Sequence, residues 1–363
     1  MPFAIYPATL FLLSRLRKER RGGEAKPGLT LVISAYNEKD FIRQKIENAL
    51  ALEYPRAHLE VMVISDASDD GTDDIVREYQ DRSVRLCRQE ERDGKSAGLS
   101  KFCPEAKGEI LVFTDANSMF RPDAMKHLLR HFDDPNVGYS VGRQLYENLE
   151  QSASAQSENI YWNVELYMKA WESRLSSVVG ADGAIYALRK ELFEPLAAED
   201  INDFYLPLKV VAKGYRGVYD WQAVCFEDAA PSFQGEFQRK YRIVNRSLKA
   251  VTKVPSALNP FRVGWFAYQL LAHKVLRWLS PFFMAILLVT SGWLAMQGWL
   301  LYQLAFGVQC LGYLCAAMHI IPGIRNLKPI YVAYYFFLVN CAAAYGVGLL
   351  LCGRTIGVWK PQR

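Results

Sequence analysis

Residues 29–66 read LTLVISAYNEKDFIRQKIENALALEYPRAHLEVMVISD and place two apolar runs on either side of a helical pattern. The first run, Leu29–Ser34, is rich in β-branched residues and ends in turn-forming residues, which predicts a buried strand. Leu59–Ser65 predicts a second strand in the same way. The segment between them, Glu38–Leu52, is predicted to be a helix because apolar residues recur on one face: Ile42, Ile46 and Leu50. A strand, a helix and a strand in this order predict a parallel strand pair.

The same alternation continues to residue 226. Further helices are predicted at 72–80, 95–102, 122–131, 153–172 and 202–213, and further strands at 84–88, 109–114, 184–188 and 217–226. This order predicts an α/β fold of the Rossmann-like kind, a mainly parallel sheet with helices on both faces. Ligands of such sheets bind beyond the carboxyl ends of the strands, so residues just after each strand are candidates for function.

Charge divides the 363-residue chain into four segments. The net charge of +5 combines +4 for residues 1–28, −12 for 29–234, +8 for 235–278 and +5 for 279–363, a stretch with no acidic residue. The acidic central segment would repel phosphate backbones, so we expect no nucleic-acid partner. The seven cysteines form no CxxC pair, which argues against a disulfide framework or a zinc site.

The end of the chain has the composition of a membrane region. Residues 279–324 carry no charge, and about 20 apolar residues cross a bilayer, so we predict spans at 280–296, 299–321 and 329–352 within a transmembrane region, 279–363. Aromatic and basic residues interleave at 261–278, which predicts an amphipathic helix in the headgroup layer, within an interfacial segment, 251–278. Residues 1–28 begin apolar and turn basic, and we expect them to dip into the membrane.

One topological conflict stays open. With a cytosolic domain, three spans put the loop with Arg325 and Lys328 inside, as the positive-inside rule prefers. The basic end of the chain would then lie outside, against the same rule: Arg354, Lys360 and Arg363.

Acidic residues mark the predicted crevice. Asp66 directly follows the second strand, where it either accepts hydrogen bonds from a base or ribose or forms a turn. Asp115 and Asn117 follow strand 109–114 at i and i+2, a spacing that can hold a hard divalent cation bridging two phosphates. Asp203 stands at the start of a predicted helix, where it is either an N-cap or first-turn carboxylate or a general base. Asp182 lies in a predicted turn.

Basic residues that suit a diphosphate occur in two places. Lys95 follows Gly94 at the start of a predicted short helix. A second group begins at Arg239, and three of its members share one helical face: Arg242, Arg246 and Lys249. Such a group binds either pyrophosphate or anionic lipid, and we expect lipid contact for Arg246 and Lys249.

Taken in order, these motifs resemble the inverting, nucleotide-sugar-dependent family 2 glycosyltransferases of the GT-A fold, over residues 29–250. Ser34–Glu38 is similar to the family's first strand and loop, Gly94-Lys95 to the loop beneath the nucleotide, and Gly183–Arg189 to the acceptor-side strand. The end of the chain resembles bacterial membrane-bound members that build exopolysaccharide or capsule.

The resemblance implies a role for each motif. The residues it implies for binding the nucleotide sugar are Ser34, Tyr36, Glu38, Asp66, Lys95, Asp115, Arg239 and Arg242. Tyr36 would stack on the uracil of a UDP sugar, Asp115 and Asn117 would hold Mg²⁺ or Mn²⁺, and Asp203 would be the catalytic base. The family further implies a multi-pass protein of the plasma (inner) membrane, a cytosolic catalytic domain and a saccharide or lipid-linked acceptor, and it is compatible with partner subunits of a polysaccharide synthesis complex.

Three residues depart from the family's pattern. Asn117 replaces a second Asp, Asn202 replaces the Glu before the base, and Ile243 replaces the Trp that packs on the growing chain in cellulose- and hyaluronan-type synthases. The last change argues against a processive polymerase. Two alternatives remain: a polyprenyl-phosphate glycosyltransferase, whose phosphate acceptor needs no general base, and a non-catalytic nucleotide-binding membrane scaffold.

Overall fold

The computed structural model describes residues 2–17, 22–24, 26–147, 153–228 and 232–357, without the side chains of 153–161. Three basic residues of the segment 1–28 lie outside the described residues, namely Lys18, Arg20 and Arg21, as do Lys360 and Arg363 near the end of the chain. The strands are β1 (Leu29–Ala35), β2 (Leu59–Ser65), β3 (Val84–Arg88), β4 (Ile110–Asp115), β5 (Met119–Phe120), β6 (Val137–Tyr146), β7 (Tyr186–Arg189) and β8 (Arg216–Glu227). The helices of the domain are α1 (Ile5–Arg15), α2 (Lys39–Leu50), α3 (Thr72–Arg77), α4 (Lys95–Phe102), α5 (Ala124–Leu129), α6 (Ala153–Leu175), α7 (Asn202–Ala212) and α8 (Phe233–Lys253).

The described strands form one sheet in the order β3-β2-β1-β4-β7-β6-β8-β5. Strands β1 to β4 are parallel, whereas β7 runs antiparallel to both of its neighbours, and β6 and β8 are parallel to each other. The predicted α/β fold with a mainly parallel sheet is confirmed. Because β1 lies between β2 and β4, the carboxyl ends of these three strands meet at one edge of the sheet.

Each face of the sheet carries its own hydrophobic core, because successive side chains of a strand point to opposite faces. Leu31 and Ile33 of β1 join the core beneath α2, whereas Val32 joins the core that contains Leu99 of α4 and Leu206 of α7. Helices therefore cover both faces, as the sequence predicts.

Strand β6 is absent from the sequence-based prediction. Gly138 and Gly142 interrupt its apolar pattern, and glycine is uncommon in strands. Both positions need glycine for close packing, since a Cβ on Gly138 would lie 2.4 Å from Val210 Cγ1 and one on Gly142 would lie 2.6 Å from the carbonyl oxygen of Ala223. The two glycines thus allow β6 to pack tightly within the sheet, and they are also the reason why the sequence pattern does not predict this strand.

The interfacial segment differs from the prediction of one amphipathic helix. It forms α9 (Pro260–Val263), α10 (Trp265–Leu270), a π-helical turn and α11 (Leu276–Trp278), because Gly264 adopts a φ of +59° and breaks the first helix. Its basic residues Lys274 and Arg277 pair with Glu165 of α6. The prediction of a single helix over 261–278 is therefore wrong, and a buried carboxylate of the domain binds both cations.

Three apolar helices follow: α12 (Ser280–Met296), α13 (Leu300–Ala317) and α14 (Lys328–Leu351). By length and hydropathy, two described segments, Leu300–Ile320 and Lys328–Leu351, could cross a membrane. A third span results if α12 is taken together with the helical segment before it, to which it is bent by 62°. The two segments differ in packing, since 6% of the most apolar stretch of Leu300–Ile320 is buried, against 39% of that of Lys328–Leu351.

Helix α14 packs closely along α8. The hydroxyl of Tyr335 donates to Glu236 Oε1 at 3.0 Å, and Asn245 Nδ2 donates to the carbonyl oxygen of Gly346 at 3.1 Å. A Cβ on Gly346 would lie 2.6 Å from the carbonyl oxygen of Tyr241, so only glycine allows this approach.

We expect Gly346→Ala to destabilise the protein by about 1–3 kcal/mol, because the added methyl group forces α8 and α14 apart. Gly348→Ala is the matched control, because a Cβ there has no atom within 4 Å, and it should be neutral or stabilise by up to about 1 kcal/mol through helix propensity. Thermal unfolding of the purified full chain in detergent measures both changes, and equal effects of the two substitutions would refute the close contact.

Candidate active site

The site forms where β1, β2 and β4 end. Ser34 is paired in register with Asp115 on one side and with Ile64 on the other. The residues that follow, Tyr36 and Asp66, therefore lie side by side at the edge of the sheet. Parallel pairing brings these sequence-predicted residues together.

Asp66 occupies a buried position held by two donors. Its Oδ1 accepts from Gln89 Nε2 at 2.6 Å and from the backbone N–H of Gly94 at 2.9 Å. Burial raises the pKa of Asp66, although the Gly94 bond and the charge of Arg92 oppose the shift. Asp66 thus fixes the loop that leads into Lys95, and Gln89, which sequence reasoning did not single out, holds the carboxylate.

Tyr36 is partly buried, and the guanidinium of Arg92 lies 3.8 Å from the centre of its ring. The ring face is therefore one on which a flat cation already stacks, and a flat base could stack there by the same geometry. Glu38 lies one residue before α2, with its backbone N–H donating to Thr72 Oγ1 at 2.8 Å.

Lys95 and Asp115 form an ion pair in the crevice. Lys95 Nζ lies 2.6 Å from Asp115 Oδ1. Burial lowers the pKa of Lys95, but the attraction and hydrogen bond of Asp115 outweigh it, so that the pKa is raised. The ammonium group therefore stays charged at the first residue of α4, where the partial positive charge of a helix N-terminus adds to it.

Glu227 is the main site residue that sequence reasoning missed. It ends β8, and its carboxylate accepts from Asn117 Nδ2 at 3.1 Å, from Ser118 Oγ at 3.4 Å and from Gln144 Nε2. Burial, followed by the charges of Asp115 and Asp182, raises its pKa to about 8. Glu227 therefore brings a second carboxyl group to the position where Asn117 lacks one.

Asp203 lies opposite Asp115 across Gly183. A Cβ on Gly183 would lie 3.1 Å from Asp203 Oδ2 and 3.8 Å from Asp115 Oδ2, so both carboxylates face one point. The N-cap residue of α7 is Ile201, so Asp203 is a first-turn residue and not the cap. Burial raises the pKa of Asp203 to about 6, the charge of Lys95 opposes this, and the charges of Asp182 and Asp115 add to it.

Asp182 and Asn202 support this arrangement. Asp182 Oδ1 accepts from the backbone N–H of Ala184 at 3.3 Å, which is the turn chemistry that the sequence predicts. Asn202 Nδ2 donates to the hydroxyl of Tyr186 at 2.8 Å and ties the start of α7 to β7. Asn202, which stands where the family has Glu, thus fixes the start of the helix that carries Asp203.

The cations of α8 have different surroundings. Arg242 lies near the carboxylates of Asp203 and Asp115, whose charges raise its pKa. Burial, together with the charges of Arg246 and Arg239, outweighs them and lowers the pKa of Arg242 to about 10. Arg239 Nε donates to the buried Glu236 at 2.9 Å. Arg246 donates to the backbone oxygens of Ala198, Glu199 and Asp200. The expectation that Arg246 contacts lipid is wrong, because its guanidinium holds the loop before α7.

The oxygen ligands of Asp115 and Asn117 fit a hard divalent ion in chemistry. In the part of the chain that the structure describes, no three His, Cys, Asp or Glu side chains are grouped to hold a metal. An ion bound here would therefore depend on further oxygen ligands, such as those of a diphosphate. Asn117 can offer its Oδ1, because its Nδ2 already donates to Glu227.

Comparison with known proteins identifies one domain of the chain. Residues 30–196 match the model of Glycosyl transferase family 2. The chain carries a family 2 glycosyltransferase domain. The domain covers β1 to β7 and includes Asp66, Lys95, Asp115 and Gly183, whereas Asp203, Glu227 and Arg242 follow it.

Two curated relatives resemble the glycosyltransferase domain. The "Probable glycosyltransferase YdaM" of Bacillus subtilis (strain 168) is 24% identical over 240 residues, 62% of this chain and 56% of the relative. The "Poly-beta-1,6-N-acetyl-D-glucosamine synthase" of Staphylococcus aureus (strain MSSA476) is 23% identical over 222 residues, 59% of this chain and 53% of the relative. The alignments thus span about half the length of these curated relatives.

A solved structure shares the fold of nearly the whole chain. It is described as "Mannosyltransferase PcManGT from Pyrobaculum calidifontis in complex with GDP-Man and Mn2+". Its TM-score is 0.68 at 24% identity, and the match covers 95% of this chain and 94% of that one. The GT-A fold that the motifs imply is confirmed for the glycosyltransferase domain.

Proposed function

We propose that the chain transfers a sugar, with inversion, from a nucleotide sugar to a hydroxyl acceptor in polysaccharide or glycolipid synthesis. The observation that carries the proposal is the geometry of Asp203, whose carboxylate faces Asp115 across Gly183 and keeps a pKa of about 6. A group with this pKa is ionised at neutral pH and still basic enough to accept a proton, as a general base requires.

The proposed mechanism uses residues on both sides of this point. Asp203 accepts the proton of the acceptor hydroxyl, whose oxygen forms a bond to the anomeric carbon while the bond from that carbon to the diphosphate oxygen breaks. The electron pair of the broken bond leaves with the nucleoside diphosphate, and Lys95 and Arg242 stabilise its negative charge. A divalent ion, Mg²⁺ or Mn²⁺, held by Asp115 and Asn117 would add positive charge at the diphosphate.

The donor and the place of the reaction belong to the same proposal. We infer a UDP sugar from the resemblance of the Ser34–Glu38 segment, with the base on Tyr36 and within reach of Asp66. The apolar helices support a location at the plasma (inner) membrane with the domain in the cytosol. A general base favours a hydroxyl acceptor over a polyprenyl phosphate, whose oxygen needs no deprotonation at neutral pH.

Release of nucleoside diphosphate tests the proposal. The purified full chain is incubated with a panel of nucleotide sugars that includes UDP sugars and GDP sugars, in the presence of Mg²⁺ or Mn²⁺. Extracted membrane lipids or oligosaccharides serve as acceptors. We expect one class of donor to release nucleoside diphosphate when an acceptor is present, and the Asp203→Asn variant to lose this acceptor-dependent release. Nucleotide binding without any release of nucleoside diphosphate would favour a non-catalytic membrane scaffold. Transfer to polyprenyl phosphate by the Asp203→Asn variant would favour a polyprenyl-phosphate glycosyltransferase.

We expect Glu227→Gln to weaken Mn²⁺ binding by about tenfold, within the range for residues that orient metal ligands. The reason is that Glu227 orients Asn117 by accepting from its Nδ2. A bound cation would also displace the proton that the raised pKa of about 8 keeps on Glu227 at neutral pH, and the carboxylate then supplies a second negative charge to the cation site. Adding Asn117→Asp in that background should restore the affinity, because the charge then stands at residue 117. The electron paramagnetic resonance signal of free Mn²⁺ measures binding with no turnover.

Glu53→Gln is the control for this experiment, since it removes the same charge from an exposed residue outside the site. If Glu227→Gln binds Mn²⁺ as the wild-type protein does, or if the double variant remains as weak as the single one, the role of Glu227 is refuted.

A further inference from the structure

Helix α14 has the composition of a membrane span but the packing of a domain helix. It is 24 residues long and apolar enough to cross a membrane, yet residues along most of its length are buried. The buried positions are Ile330, Tyr331, Tyr335, Leu338, Asn340, Ala342, Ala343, Gly346 and Val347. Composition alone therefore does not place α14 in the bilayer.

Both halves of α14 are attached to the same domain helix, α8. Near the start, the ring of Tyr334 lies 5.1 Å from that of Phe233, and Tyr335 donates to Glu236. Beyond the end, Asn245 Nδ2 donates to the carbonyl oxygen of Arg354 at 3.1 Å, and Asn245 Oδ1 accepts from the backbone N–H of Ile356 at 3.1 Å. The two helices thus run alongside each other, so α14 can cross a bilayer only if α8 crosses with it.

Helix α8 cannot cross. It carries six basic residues: Arg239, Lys240, Arg242, Arg246, Lys249 and Lys253. Charged side chains at the centre of a bilayer are strongly disfavoured. Arg246 and Lys253 also bind Glu199 and Asp200 in the loop before α7, which fixes α8 on the domain.

Helices α12 and α13 are different, because they form an antiparallel hairpin with an exposed apolar surface. Gln309 Nε2 donates to the carbonyl oxygen of Met284 at 2.8 Å, and Gln303 Nε2 to that of Ala295 at 3.2 Å. Exposed apolar residues of the hairpin include Ile286, Leu287, Val289, Leu304, Val308 and Leu311. Trp293 and Trp299 are exposed near its tip, where aromatic residues commonly meet the membrane interface.

Helix α14 meets the hairpin at the end nearest the domain. Ser280, the first residue of α12, donates through Oγ to Asn340 Oδ1 at 2.7 Å, and the ring of Tyr313 lies 6.1 Å from that of Phe337. Trp278, the last residue of α11, packs with Val244 of α8 and with Ala343 and Val347 of α14. These contacts place α14 across the base of the hairpin and against the domain.

We propose that the lipid-facing surface of this protein is the α12–α13 hairpin, and that α14 stays on the domain's side of the membrane as the cover of α8. The chain then crosses twice, and the segment after α14 lies on the same side as the active site. This arrangement also removes the conflict in charge, because Arg325, Lys328 and Arg354 all lie on the domain's side, as the positive-inside rule prefers.

The native thiol of Cys352 tests this topology. Cys352 is exposed just after α14. Of the other cysteines, Cys87, Cys103 and Cys225 are buried, Cys310 and Cys315 lie within the hairpin, and Cys341 is partly buried within α14. A membrane-impermeant maleimide is applied to right-side-out and inverted vesicles that contain the full chain. The domain's side is identified with Lys126→Cys, at an exposed position of α5, and the tip of the hairpin with Gln297→Cys, both in a Cys352→Ser background.

We expect Cys352 and Lys126→Cys to be labelled from one side and Gln297→Cys from the other. The Cys352→Ser variant alone should not be labelled from either side, because its remaining cysteines are buried or lie within the apolar helices. Labelling of Cys352 from the side opposite to Lys126→Cys would restore three spans and overturn the proposal. Labelling of Gln297→Cys from the domain's side would also overturn it, because the hairpin would not cross. A protease site fused after Arg363 gives a second readout, which depends on the side of the membrane and not on thiol reactivity.

Discussion

Asp203→Asn is expected to lower kcat for sugar transfer by about 10²–10⁴-fold, the usual contribution of a general base. The amide has nearly the shape of the carboxylate but cannot accept the proton of the acceptor hydroxyl. Binding of the nucleoside diphosphate should change little, because the implied nucleotide contacts are made by other residues. Steady-state kinetics with a fixed acceptor measure the first quantity and equilibrium titration of the nucleotide measures the second.

The activity of the wild-type protein should fall as the pH is lowered, because Asp203 must be ionised to accept a proton. Burial raises the pKa of Asp203 to about 6, so the fraction in the basic form falls as the pH drops below that value. We expect kcat/KM of the wild-type protein to fall about tenfold per pH unit on the acid side of pH 6, and this limb to vanish in Asp203→Asn. Near-normal transfer by Asp203→Asn, with an intact fold, would show that another group accepts the proton.

Lys95→Met is expected to lower kcat by about 10²–10³-fold, as the loss of one preorganised group that stabilises transition-state charge typically does. It should also move the acid limb to higher pH, because the charge of Lys95 opposes the raised pKa of Asp203. Lys101→Met is the matched control, since Lys101 is an exposed lysine on the same helix, α4. A loss of rate without a shift of the limb would mean that Lys95 acts on the leaving group alone.

Much of the parallel half of the fold could be predicted from the sequence. Strands β2 and β3 and helix α4 begin and end at the predicted residues, because each is an uninterrupted local pattern between turn-forming residues. Helix α5 begins at Ala124 and not at Pro122, because Arg121–Asp123 form the turn that precedes it. The parallel order then brings Tyr36, Asp66 and Asp115 to one edge, as expected.

The residues that could not be predicted depend on long-range contacts. Glu227 accepts a hydrogen bond from Asn117, which lies 110 positions earlier in the sequence. It ends β8, whose pairing partner β6 is not predicted because Gly138 and Gly142 interrupt the apolar pattern. A signal for Glu227 was present, since an acid directly after a strand is the pattern that singled out Asp66 and Asp115. Arg246 looked like a lipid contact because its sequence neighbours are apolar helices, although its hydrogen bonds are with the loop at 198–200.

Helix α14 illustrates the limit of composition. An apolar helix can bury its side chains either in a bilayer or against a domain, so its composition does not decide between the two. Two residues favour packing against the domain. Gly346 allows α8 to approach α14, and Asn245 binds the backbone of α14 and of the segment after it. Neither residue gives a signal in its local sequence, because both act through contacts with distant parts of the chain.

The configuration of the product tests the central claim most directly. Asp203 as a base on the acceptor implies a single displacement at the anomeric carbon, so the new glycosidic bond must have the opposite configuration to the donor. We predict that the anomeric proton signal of the first product, recorded by NMR with the full chain and the accepted donor, shows inversion. Retention of the donor's configuration would contradict the assignment of Asp203 and the mechanism built on it.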